Sequence, residues 1–150
     1  MIYKSKSPED TSTLGKEFAG NIKAGDIIGL DGELGSGKTQ FVKGIGAYFD
    51  VKDIINSPTF ILVNEYTGTN PETGKTLKIN HFDLYRIENP GELTVIGFED
   101  YLKDDSITVI EWCRLAEEYL RMEITKVKFN YGKNENEREI EFQPIKFRKD

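Results

Sequence analysis

The chain has 150 residues, with 26 acidic against 20 basic side chains, a formal charge of −6 and a single cysteine, Cys113. That length suits one domain over residues 1–150, burying about two-thirds of its unfolded surface; the acidic balance argues against a free-standing nucleic-acid binder, which relies on a basic face. One cysteine excludes an intrachain disulfide framework and a cysteine metal cluster, and the lack of any apolar run of about 18 residues or of a charged-then-apolar leader leads us to expect a cytoplasmic protein without membrane contact.

"MIYKS" reads as a short strand. "SPEDTSTLGKEFAGNIKAG" predicts a helix with Ser7 at its N-cap, Pro8 at its first position, Asp10 completing a capping-box pattern and Gly25 near its end. Leu14, Phe18 and Ile22 form its inner stripe. In "GDIIGLDG" the run Ile27, Ile28, Leu30 reads as a buried strand. It leads into "GELGSGKT", whose Gly32, Gly37, Lys38 and Thr39 fit G-x-x-x-x-G-K-[ST]. Each fixed residue has a physical task there. Glycines let backbone N–H groups form a concave nest around an anion, and the following helix points its N-terminal amides and positive dipole end at the same phosphates. Lys38 reaches the β and γ phosphates, and the Thr39 hydroxyl can ligate Mg²⁺. The helix itself, "TQFVKGIGAYF", has Phe41, Val42, Ile45, Tyr48 and Phe49 at helical spacing. Gly44 and Gly46 each cost it about 1 kcal/mol relative to Ala, so it is expected to depend on packing against the sheet.

Two strand-like segments follow, "TFILVNEY" and "TLKINHFDLY". The loop "TGTNPETGK" between them makes an antiparallel hairpin the simplest reading. "NPGELTVIGFEDYL" reads as one or two short helices, "SITVIEW" as a second buried strand and "RLAEEYL" as a short helix. The end, "ITKVKFNYG…REIEFQPIKF", alternates around a Gly/Asn-rich turn as a closing pair of strands. Together these predict a three-layer α/β fold of the P-loop NTPase kind with a mixed parallel and antiparallel sheet.

A nucleotide site also needs an acid for the metal shell at a strand end. Asp83 closes "LKINHFD" and Glu111 closes "SITVIE"; each apolar strand delivers a carboxylate at its C-terminal end, where ligands bind in open α/β sheets. A solvent-facing strand-end charge is the plainer reading of either acid alone. His81, the lone histidine, reads as a hydrogen-bonded structural residue rather than a general base. Arg86 suits an arginine finger or an ordinary salt bridge; Arg138 is a candidate to approach the nucleotide, but its place in a charged strand keeps it out of the expected site set.

"GELGSGKTQFVKGI", "SPTFILVNEY", "HFDLYR" and "VIEW", in that order and spacing over roughly residues 9 to 114, resemble the TsaE (formerly YjeE) family of bacterial ATPases needed for threonylcarbamoyladenosine formation in tRNA. The resemblance implies ATP as substrate and Mg²⁺ as cofactor. It matches Thr39 and Glu111 to the metal ligands, and it matches Asp83 to an acid on which activity depends. Lys38, Asp83 and Glu111 are then the expected catalytic residues. Thr11, Gly32, Glu33, Leu34, Gly35, Ser36, Gly37, Lys38, Thr39 and Gln40 are the expected nucleotide contacts. Trp112, which by itself reads as core, matches the tryptophan beside the metal-binding Glu, and Ser57 to Phe60 match a loop resembling a switch region. Cys113-Arg114 departs from the usual Pro followed by a polar or acidic residue. The implied partners are the TsaD and TsaB subunits, with tRNA reached through their complex and the isolated chain a monomer. Two alternatives stay open: a small-molecule kinase of the same fold, disfavoured by five unclustered arginines, and a nucleotide-dependent binding module without turnover. The guanine-reading Asn-Lys-x-Asp pattern is absent.

Overall fold

Ser7 begins the first helix as its sequence requires: its hydroxyl accepts from the Asp10 N–H at 3.1 Å, while the Asp10 carboxylate accepts from the Lys6 N–H at 3.0 Å. In this computed structural model, which describes residues 2–58, 62–103, 105–119 and 124–145, strand β1 (Ile2–Ser5) precedes helix α1 (Pro8–Ala19). The helix stops well before Gly25. Gly20, Asn21 and Ile22 donate to Glu17, Phe18 and Ala19, an i to i−3 pattern that tightens the last turn and ends α-helical bonding. Gly25, at φ 96°, turns the chain into β2 (Ile27–Asp31) instead.

Helix α2 (Lys38–Tyr48) follows the glycine loop, and β3 (Val63–Thr69) and β4 (Thr76–Asp83) form the expected hairpin. Thr59–Ile61, read as the start of β3, lie outside the described residues. At its far end β3 runs past Tyr66, because Thr67, Gly68 and Thr69 pair with Lys78, Leu77 and Thr76. Short helices α3 (Gly91–Val95) and α4 (Phe98–Tyr101) lead to β5 (Ser106–Glu111). Helix α5 (Arg114–Tyr119) and the closing strands β6 (Ile124–Tyr131) and β7 (Arg138–Ile145) complete the described chain. The expected last residues of α5 and β7 fall outside the described residues.

All seven strands form one sheet in the order β1-β7-β6-β2-β5-β4-β3. The four inner strands β6, β2, β5 and β4 are mutually parallel, and β7 and β3 join them antiparallel. Alternation sorts the inner strands onto two faces. Ile28, Leu30, Ile79, Ile107, Val109, Val127 and Phe129 pack with Phe41, Val42 and Ile45 of α2 and Phe18 of α1. Ile27, Phe82, Ile110 and Ile124 pack with Leu93, Phe98 and Ala116 of the three short helices. Helices on both faces of a mixed sheet make the three layers.

The glycines of α2 have a tertiary explanation. A Cβ on Gly44 would lie 1.9 Å from the Ser12 carbonyl oxygen, and one on Gly15 of α1 2.2 Å from that of Phe41. The two helices therefore touch backbone to backbone, and close packing offsets the propensity that Gly44 forgoes. No helix among the described residues is long and apolar enough to cross a membrane.

Candidate functional site

Three chain segments converge at the carboxyl ends of the parallel strands: the loop after β2, and the last residues of β4 and β5. Gly37 caps α2 with φ 103°, a left-handed conformation that a side chain would strain, and contributes no side-chain hydrogen bond. The first amides of α2 thus face outward without a capping side chain, the arrangement that receives an anion.

Lys38 is buried at the start of that helix. Its ammonium donates to the Gly32 carbonyl and, at 3.4 Å, to that of Glu33, and it sits 4.1 Å from the centre of the Trp112 ring. Burial draws its pKa below the ordinary lysine range; the negative charges of Glu111, Asp83, Asp31 and Glu33 work against that shift.

Asp83 and Glu111 are directly paired across β4 and β5. Glu111 is 3% exposed, and its Oε2 lies 2.5 Å from Nε2 of the fully buried His81. Asp83 is half-buried and accepts from the Ser57 hydroxyl at 3.2 Å and the Tyr85 N–H at 3.0 Å. Trp112 follows at φ 58°, held there by its N–H to the Leu30 carbonyl at 3.0 Å, and its ring lies 5.0 Å from that of Tyr85. The Cys113-Arg114 departure does not disturb this turn: Cys113 is buried, its carbonyl accepts from Glu117 N–H at 2.8 Å, and α5 begins at Arg114. Burial, followed by the nearby Glu117 carboxylate, pushes the Cys113 thiol far up, so it stays a protonated packing group.

These groups surround a cavity of about 400 Å³. Of the residues expected to contact a nucleotide, Thr11 and residues 34–40 line it, and Asp83, Glu111, Trp112 and Ser57 line the same space. Gly32 and Glu33 do not line it; their carbonyls hold the Lys38 ammonium. The Thr11 hydroxyl is shared with Ser5 Oγ at 2.7 Å, and a Cβ on Gly37 would lie 3.5 Å from the Thr11 methyl. Thr59 and Phe60 of the expected switch loop lie outside the described residues. Arg86 is exposed, is not part of the cavity wall and makes no ion pair among the described residues.

The terminal hairpin supplies what the sequence reading missed. The Tyr131 hydroxyl donates to the Leu34 carbonyl, and Arg138 donates to that of Gly35 at 3.0 Å with its guanidinium 5.1 Å from the Tyr131 ring centre. Arg138 and Asn136 both line the cavity. The pairing of Tyr131 with Arg138 across the closing turn was readable; that β6 lies beside β2, bringing the pair to the glycine loop, was not.

The donor set suits Mg²⁺. The Thr39 hydroxyl and the Asp83 and Glu111 carboxylates share one cavity, and no cluster of three acids, histidines or cysteines encloses a metal among the described residues. A hard cation that keeps several waters and shares phosphate oxygens fits so few oxygen ligands. The Ser36 hydroxyl, buried within the loop, has no partner among the described residues, as befits a loop built around a polar ligand.

A family model described as threonylcarbamoyl adenosine biosynthesis protein TsaE matches residues 5–140. The chain belongs to the TsaE family. It is 33% identical over 145 residues to the TsaE protein of Bacillus subtilis (strain 168), covering 97% of this chain and 86% of that one. With TsaE of Rickettsia typhi the identity is 38% over 127 residues, covering 84% and 83%. The crystal structure of YdiB from Bacillus subtilis superposes with a TM-score of 0.75 at 30% identity, covering 95% of this chain and 83% of that one. The TsaE match takes in both strand-end acids and the Tyr131–Arg138 brace, and it assigns the chain to tRNA threonylcarbamoyladenosine biosynthesis.

Proposed function

We propose that this TsaE protein is a Mg²⁺-dependent ATP-binding and ATP-hydrolysing subunit that works with TsaD and TsaB, its hydrolysis driving or resetting their threonylcarbamoyl-transfer cycle. One observation carries the reading: the lysine of a phosphate-loop sequence faces two strand-end carboxylates across a single cavity. Lys38 and the amides opening α2 hold the polyphosphate, exchanging the Gly32 and Glu33 carbonyls for phosphate oxygens. Thr39 and Glu111 hold Mg²⁺, which supplies charge neutralisation at the phosphates. Asp83 orients the attacking water in line with the γ-phosphate, and its bond from Ser57 ties that role to the loop entering β3.

Among the described residues, no arginine free of other partners lines the cavity. Arg138 is engaged with the Gly35, Glu135 and Glu137 carbonyls, and Arg86 lies outside the cavity. Isolated hydrolysis is accordingly slow, below the typical enzyme rate of about 10 per second. Five arginines, none of them clustered in the sequence, also disfavour a kinase with an arginine-rich lid. Phosphate release by the protein alone, then with TsaD, TsaB and tRNA, tests the proposal: stimulation by the partners supports it. No release under either condition would leave a binding module without turnover.

A further inference from the structure

His81 is fully buried, and its Nε2 contact is the only hydrogen bond to the Glu111 carboxylate among the described residues. Asp83, by contrast, accepts two. His81 and Glu111 lie on the sheet face that packs against α1 and α2, continuing the series Ile79 on β4 and Ile107, Val109 on β5. The register pairs His81 with Val109, so the imidazole reaches diagonally to the acid two residues further on. Its other nitrogen, Nδ1, has no partner among the described residues. A buried N–H without an acceptor costs more than a bare lone pair, which places the ring proton on Nε2, donating to Glu111 Oε2. A carboxylate has lone pairs on both oxygens; with one oxygen bonded inside the protein, the other is left for the cavity that Glu111 lines.

We propose that His81 is a positioning residue: its Nε2–H holds one Glu111 oxygen against the sheet so that the other is presented to Mg²⁺ bound with ATP. The inference rests on the Mg-ATP reading above. A histidine that merely fills the core would bond any convenient carbonyl. This one is spent on the single acid that closes β5 at the cavity, and groups that orient metal-binding carboxylates in this way tune metal affinity without touching the metal.

Three variants separate positioning from packing. His81→Gln keeps an N–H near the place of Nε2, His81→Asn carries its amide only as far as Nδ1, and His81→Leu fills the space with no donor. Calorimetric titration of ATP at a series of Mg²⁺ concentrations and in EDTA, with thermal melting of each variant, is the measurement. The Leu and Asn variants should need roughly 10- to 100-fold more Mg²⁺ for half-maximal tightening of ATP binding, the Gln variant should restore most of the loss, and ATP affinity in EDTA should stay unchanged throughout. Should His81→Leu fail to fold, the comparison of Gln with Asn decides alone. Gln and Asn variants that behave alike, or an EDTA affinity that falls as far as the Mg²⁺-dependent one, would overturn the inference and leave His81 a core residue. Wild-type protein that binds ATP equally with and without Mg²⁺, or not at all, would remove the Mg-ATP reading and this inference with it.

Discussion

At the scale of single residues, Lys38 concentrates the site's electrostatics: a buried ammonium held by two loop carbonyls, under an indole and facing carboxylates. Replacing it with alanine removes charge-assisted bonds to phosphate worth about 1.5–3 kcal/mol each, so Lys38→Ala should weaken ATP binding by at least about a hundredfold. Calorimetry checks this, and unchanged affinity would defeat the phosphate-loop assignment. The two acids should separate. Glu111→Ala is expected to weaken binding mainly when Mg²⁺ is present, whereas Asp83→Ala should keep nucleotide and lose turnover, as single-turnover phosphate release would reveal. Equal, small effects would return both to strand-end charges. Trp112 was legible as a site residue only through its place after Glu111 and the family resemblance; the sequence carries no sign that it adopts a positive φ or covers Lys38.

Between elements, the contact of α1 with α2 sets where the phosphate helix lies. Gly44→Ala should gain about 1 kcal/mol of helix propensity yet destabilise the protein by about 1–3 kcal/mol, because the new methyl meets the Ser12 carbonyl rather than a side chain that can move. Urea unfolding measures the sign, and a stabilised variant would mean the helices do not touch there. A second junction joins α5, β6 and β2: Lys126 lies 3.0 Å from Glu117 and 3.7 Å from Asp31. Burial alone would lower the Lys126 pKa, but the Glu117 carboxylate, followed by that of Asp31, outweighs it and raises it above the ordinary 10.5. A lysine raised on folding stabilises fully below its unfolded value and loses that contribution as pH climbs through the folded one. The stability difference between wild type and Lys126→Met should therefore be constant through neutral pH and vanish only above about pH 10.5. A difference that already fades near neutrality would contradict the raised value.

For the whole molecule, the loop, the acids and the terminal hairpin form one connected surface, in which Tyr131 and Arg138 brace the loop and Ser57 binds Asp83. If TsaD and TsaB engage this surface while nucleotide is bound, ATP and partner binding must strengthen each other by the same factor. Complex affinity measured with and without ATP, alongside ATP affinity with and without the partners, should show equal gains. Partner affinity indifferent to nucleotide would defeat the coupling.

The sequence by itself determined the local features: the capped α1, the strand–loop–helix around Lys38, the β3–β4 and β6–β7 hairpins and the two strand-ending acids. Each follows from neighbours within a few residues, through hydrophobic period, glycine placement or capping chemistry. It also indicated a three-layer fold with a mixed sheet, because helices interleave with buried strands and hairpins add antiparallel ones. Only the tertiary structure decided the strand order. That order places β6 beside β2 and so carries Tyr131 and Arg138 to the glycine loop, and it sets β4 beside β5 so that His81 reaches Glu111. Pairing between strands distant in sequence depends on which faces bury together across the whole sheet, and no local pattern encodes it. The same reason explains Gly44, which costs its own helix stability and is required by a carbonyl of another helix.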